Sequence, residues 1–207
     1  FIRYSLEDAS IVNFINLLDK VNDGINISGG NDSSGFGPMG RTTNNSSNNS
    51  LTINGGTIYI NAQGDGLDAN GSIFLNGGTV YVDGPTDNGN GALDYDNKFE
   101  ITGGTIIAAG SSGMMQNVTS SNQGTVLIYF SNTLTSNTTI KIGDISYTPS
   151  KNFNSLLISS KSLTVGNTYD IIVNGNKYES ITLSDTINTL GNGSVVNGMG
   201  RGGRGRY

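Results

Sequence analysis

The residues with the clearest chemical potential are acidic, and they fall in step. Asp23 and Asp65 hold matching places in Asn22-Asp23-Gly24-Ile25-Asn26 and Gly64-Asp65-Gly66-Leu67-Asp68. Asp68 and Asp94 match in turn, with Asn26 one step earlier and Glu7 before that. Asp83, Asp87 and Asp96 lie in nearby loops. On stacked strands, like positions stand about 4.8 Å apart. Two ionised carboxylates at that spacing repel by roughly 3.5 kcal/mol at an effective dielectric near 20. A column of them turns its side chains into water, takes up protons or holds a cation. Oxygen donors alone, on Gly-rich loops, suit Ca²⁺ among the hard cations. The candidate ligands are Glu7, Asp23, Asn26, Asp65, Asp68, Asp94 and Asp96. The competing reading is turn chemistry, since Asp and Asn beside Gly are ordinary tight-turn residues without any metal. The Asp-x-Asp-x-Asp-Gly spacing of an EF-hand loop is absent.

A second set is aromatic and amidic. Tyr59 and Tyr81 occupy one outward column, followed by Ile107, and Thr57, Thr79 and Thr105 occupy another. Tyrosines in register offer flat faces on which pyranose rings stack through their apolar C–H sides. Asn54 and Asn76 add amides suited to sugar hydroxyls. The carbohydrate candidates are therefore Tyr59, Tyr81, Asn54 and Asn76. Ordinary β-propensity accounts for the Thr and Tyr equally well, and an Asn ladder serves structure as readily as binding.

Other chemistries are constrained. The chain has no Cys and no His, which removes thiol catalysis, Cys/His zinc sites and imidazole acid–base work. A lyase acting on uronates needs a cation or basic group for the carboxylate and a base for the proton. The basic residues in the repeats, Arg3, Lys20, Arg41 and Lys98, form no such constellation. Asp94 and Asp96 resemble a hydrolase pair only in being two nearby carboxylates. Asn-x-Ser/Thr triplets such as Asn70-Gly71-Ser72 are expected by chance in so Asn-rich a chain. Only 13% of residues are charged and the net charge is −5, with no basic face to meet nucleic acid. No apolar run is long enough for a membrane span. The chain opens at Phe1 in mid-repeat and is expected to be a processed or truncated product.

The elements that position these residues follow from a repeated phrase. Leu51-Thr52-Ile53-Asn54-Gly55-Gly56-Thr57-Ile58-Tyr59-Ile60 returns at Ile73–Val82 and again at Phe99–Ala108. The Gly pairs begin at 55, 77 and 103, giving steps of 22 and 26 residues. A period of this size marks a repeat architecture. Apolar residues alternate within each phrase and the Gly pair bends it, so two short strands are expected, each with one face inward. The inward columns are Ile53/Leu75/Ile101 and Ile58/Val80/Ile106. Stacked, they form a core that no single repeat buries alone. Ile11–Leu18 has helix-like spacing, but we expect a degenerate strand repeat there. Residues 31–50 form a Gly/Ser/Asn-rich insert. After Thr125 the phrase gives way to short apolar runs, with Asn174-Gly175 as a hairpin signal.

At 51–116 the match to a known group becomes specific. The run from Gly64 to Gln116 resembles the secreted carbohydrate-binding β-helix proteins first known from cellulose-degrading clostridia, related in fold to pectate lyases. Asn22-Asp23-Gly24-Ile25-Asn26-Ile27-Ser28-Gly29-Gly30 is similar to an acidic phrase of that family, and 147–169 extends the likeness more weakly. The resemblance implies a right-handed parallel β-helix that binds Ca²⁺ and attaches to cellulose and acidic pectic sugars. It implies cation positions at Asp23, Asp65, Asp68 and Asp94. Asn22 stands where the family has an acid, and the first repeat is shorter than the family's pattern.

The expectation is thus an all-β chain: a right-handed parallel β-helix of about five turns over 1–124, an antiparallel β cap over 125–186 and a Gly/Arg-rich tail over 187–207. The expected function is extracellular or cell-surface binding of polysaccharide, with Ca²⁺ as cofactor. The alternatives are a self-associating subunit of a surface fibre or sheath, and a polysaccharide lyase.

Overall fold

The computed structural model describes residues 8–11, 15–21, 23–27 and 49–193, the first two stretches by backbone alone. Every regular element among them is a β-strand. No helix there is long and apolar enough to cross a membrane. The first repeat gives β1 (Asp8–Ile11), β2 (Ile15–Val21) and β3 (Ile25–Ile27). The second gives β4 (Asn49–Ile53), β5 (Thr57–Ala62) and β6 (Leu67–Ala69). The third gives β7 (Gly71–Leu75), β8 (Thr79–Asp83) and β9 (Leu93–Tyr95). The fourth gives β10 (Lys98–Ile101) and β11 (Thr105–Gly110), and β12 (Ser120–Ser121) opens a fifth.

Strands of equal rank pair with one another in parallel. β1-β4-β7-β10-β12 form sheet A and β3-β6-β9 form sheet C. β2-β5-β8-β11 form a parallel run within sheet B. The register is the one set by the repeat: Ile53 faces Leu75, which faces Ile101, and Ile58 faces Val80, which faces Ile106. All six side chains are buried in one core fed by sheets A, B and C. Each such aliphatic side chain contributes roughly 1.5–3 kcal/mol by leaving water. The bend between sheets A and B needs the second Gly of each pair. Gly56, Gly78 and Gly104 all have φ near +80°, where a Cβ is strained.

The strip Ile15–Val21 is strand, as the repeat demands, and not helix. Asn49 and Ser50 already belong to β4, so the expected insert ends before 49; the rest of it lies outside the described residues.

Past 124 the structure departs from a simple end cap. β13 (Thr125–Leu134), β16 (Phe153–Ser159) and β19 (Ile187–Leu190) join sheet B, in the order β19-β13-β16-β11. β16 runs antiparallel to both neighbours and sits between β11 and β13. The tail expected from 187 therefore starts later, because Ile187–Leu190 pairs in parallel with β13. Four more strands make the antiparallel sheet D: β14 (Ile140–Ile142), β15 (Ile145–Tyr147), β17 (Thr168–Val173) and β18 (Asn176–Thr182). Asn174 and Gly175, both at positive φ, make the two-residue turn between β17 and β18. Sheet D shares a second core with sheet B. On β11 Ile106 and Ala108 belong to the first core, whereas Ile107 and Ala109 belong to the second. Alternation along one strand thus feeds both cores, and sheet D covers the outer face of sheet B rather than its end.

Candidate functional site

Two places gather the candidate residues. The first is the acidic column on sheet C. Asn26, Asp68 and Asp94 are register partners on β3, β6 and β9. The amide of Asn26 donates to Asp68 Oδ2 at 2.6 Å. At the other end Gln116 Nε2 donates to Asp94 Oδ1 at 3.2 Å, while its own carbonyl accepts the Tyr95 N–H at 3.0 Å. The column therefore runs amide, carboxylate, carboxylate, amide. Asp23 and Asp65 form a parallel file that bonds main chain. Asp23 Oδ1 accepts the Asp65 N–H, and Asp65 Oδ1 accepts the Gly91 N–H at 2.7 Å. Close packing forces the file together: a Cβ on Gly66 would lie 2.3 Å from the Ala92 carbonyl and 2.4 Å from Val82 Cγ1.

The electrostatics follow from burial. Asp68 is pushed up to about 7, first by loss of water and then by Asp65, Asp94, Asp23 and Asp96. Burial also raises Asp65, opposed in part by the Gly91 N–H, and it raises Asp94, helped by Asp96. Asp96 itself is exposed, and Glu7 lies outside the described residues. The donors are chemically right for Ca²⁺, being oxygen only. Their arrangement is a file of pairs rather than a cage: among the described residues no three acidic groups gather as a metal site would. Charge is met here by amides at the ends and by raised proton affinity. Gln116 was missed from the sequence, although it stands 22 residues after Asp94, one repeat on.

The second place is a groove of about 260 Å³ on the outer face of sheet B. Its lining comes from β5 (Tyr59, Ile60, Asn61), from β8 (Tyr81, Asp83), and from Tyr147 and Ser150 at and after the end of β15. Tyr59 and Tyr81 stack at 4.9 Å between centroids and 11° between planes. Tyr147 stacks on Tyr81 in its turn, at 5.4 Å and 15°. Tyr81 is thus stacked between two other rings. Tyr59 stacks on Tyr81 and is 43% exposed. The same outward column continues as Ile107, Ile158 and Val126, all buried under sheet D. Tyrosine gives way to aliphatic residues where that sheet begins.

Asp83 fastens this junction. It is 8% exposed and accepts the Tyr147 hydroxyl at 2.8 Å, the Ser150 N–H at 2.9 Å and the Ser150 hydroxyl at 2.5 Å. The Tyr147 hydroxyl is held above its ordinary range by burial and by the Asp83 charge. Nearby, Lys151 Nζ donates to the Ala62 carbonyl, and burial lowers its proton affinity against the pull of Asp83. Asn54 and Asn76 do not join the groove. Asn76 donates to Asn54 at 2.9 Å and accepts from Thr102 at 2.7 Å, an exposed ladder at the bend between sheets A and B. The structure brings together two of the four carbohydrate candidates and adds Tyr147, Asp83 and Ser150. No local motif in 147–151 could have placed that segment beside Tyr81.

No family model, curated protein or solved structure matches the chain.

Proposed function

We propose that this chain is a polysaccharide-binding protein of the right-handed parallel β-helix type, acting outside the cell or at its surface. The β-helix reading is supported by three sheets that share one core and take one strand each, paired in parallel, from successive repeats. Parallel crossovers are right-handed in about 98% of cases, which supplies the hand. The binding reading rests on one observation: an aromatic column, partly exposed at Tyr59, lines a groove that also carries hydroxyl, amide and carboxylate groups. Apolar ring surface beside a few polar groups is the composition that suits a sugar, whose faces are apolar and whose rim is hydroxylated.

In this reading Ca²⁺ would be held at Asp68 and Asp94, with Asp65 beside them. Its chemistry there would be to neutralise the repulsion along the column. The test is retention of the full chain on insoluble cellulose and on immobilised polygalacturonate, with and without chelator. Retention on at least one polymer is expected, weakened by Tyr59→Ala about tenfold, equivalent to about 1.4 kcal/mol. No retention on either polymer overturns the proposal.

A further inference from the structure

We infer that the groove on sheet B selects an uncharged sugar residue and rejects a uronate. The inference rests on the polysaccharide-binding reading above and assigns its ligand class. Three features carry it. Among the described residues, the one charged side chain lining the groove is a carboxylate, Asp83. That carboxylate cannot swing away, because Tyr147 and Ser150 hold both of its oxygens. The neighbouring ammonium, Lys151, is engaged by the Ala62 carbonyl and does not line the groove. Among the described residues lining the groove, a uronate entering here meets that fixed like charge and no cation; Lys151, which feels the Asp83 charge, is held at the Ala62 carbonyl outside the lining. In a partly desolvated groove, that repulsion is screened less than in water.

The remaining surface suits hydroxyl groups. The ring of Tyr59 is exposed, and no hydrogen bond engages its hydroxyl or that of Tyr81 among the described residues. Each hydroxyl both donates and accepts, as a sugar hydroxyl does. The volume, about 260 Å³, lies just below the usual range for ligand pockets of roughly 300–1,000 Å³. It fits one ring or a chain end rather than a long run of residues.

The experiment is calorimetric titration of the full chain with cellohexaose, xylohexaose and trigalacturonate, in chelator and at low ionic strength. Wild type, Tyr59→Ala, Asp83→Asn and Lys151→Gln are compared, with folding checked by circular dichroism. At least one neutral oligosaccharide is expected to bind, with Tyr59→Ala weakening it about tenfold or more. Trigalacturonate is expected to bind at least about tenfold more weakly than that neutral ligand. Asp83→Asn narrows this gap, whereas Lys151→Gln leaves it in place. Trigalacturonate binding as tightly as the neutral ligand, with the same sensitivity to Tyr59→Ala, overturns the selectivity and leaves the polysaccharide reading standing. If Asp83→Asn does not fold, that wild-type and Tyr59→Ala comparison still decides. Absence of binding by all three sugars, together with no retention on cellulose or polygalacturonate, overturns the parent reading and this inference with it.

Discussion

Asp68 stands between Asn26 and Asp94 on neighbouring strands, and its neighbours explain its behaviour. Burial and four surrounding carboxylates raise it to about 7, against an ordinary value of 3.8. The folded chain therefore holds a proton on Asp68 across a pH range in which the unfolded chain has released it. Stability is greatest below the unfolded value, falls as pH rises from about 4 to about 7, and then levels. Asp65 and Asp94 shift in the same direction. Thermal unfolding in chelator is expected to give a higher Tm at pH 5 than at pH 8. Asp68→Asn keeps an acceptor for the Asn26 amide and removes a charge, so it should flatten this slope and raise Tm at pH 8. Added Ca²⁺ should raise the wild-type Tm more at pH 8 than at pH 5, since protons and the cation compete for the same oxygens. A wild-type Tm that rises from pH 5 to pH 8 in chelator would contradict the assignment.

At the scale of elements, the insertion of β16 between β11 and β13 has a cost that one side chain meets. In the earlier repeats the carbonyl of the second Gly accepts from the next Thr: Gly56 from Thr79 and Gly78 from Thr105, each at 2.9 Å. Gly104 loses that partner, because the Thr125 N–H turns to the Thr186 carbonyl. Gln123 Nε2 takes its place, donating to Gly104 at 2.9 Å and to Ser159 Oγ at 3.0 Å. The motif that supplies it is a worn copy of the repeat: Ser121-Asn122-Gln123-Gly124-Thr125 stands where Ile101-Thr102-Gly103-Gly104-Thr105 stood, and Ser121 pairs with Ile101. Gln123 Oε1 is buried without a partner, a polar group that a bound water would satisfy. Gln123→Leu leaves the Gly104 carbonyl unpaired and should lower unfolding free energy by about 1–3 kcal/mol in denaturant titration. A loss within error of zero would show that the carbonyl finds water instead.

For the whole molecule, two cores share sheet B, and Asp83 ties the second to the first at their open margin. Its three acceptor contacts all go to the segment around Tyr147 and Ser150. Hydrogen bonds to a buried charge are worth about 1.5–3 kcal/mol. Asp83→Ala should therefore lower stability by about that amount and speed proteolysis within 135–152, while Ser150→Ala has a smaller effect. Equal proteolysis rates for Asp83→Ala and wild type would show that the aliphatic contacts beneath sheet D hold it unaided.

Much of this was written in the local pattern. Period-two alternation and the paired glycines set the strands, the bend and the inward columns, because a side chain's face and a Gly's positive φ are decided within a few residues. Rank within the repeated phrase aligned Asn26 with Asp68, 42 residues on across the insert, and Asp68 with Asp94 in the next repeat, because parallel stacking preserves rank. Gln116 and Gln123 were legible in principle and were missed because their repeats have lost the Gly-Gly-Thr phrase. What the sequence could not decide was where the C-terminal strands would go. Antiparallel insertion of β16, the laying of sheet D over Ile107, and the meeting of Tyr147 with Tyr81 join residues distant in the chain without a repeat to register them. Such contacts are fixed by which apolar faces remain uncovered once the local strands have formed, and that is a property of the assembled molecule.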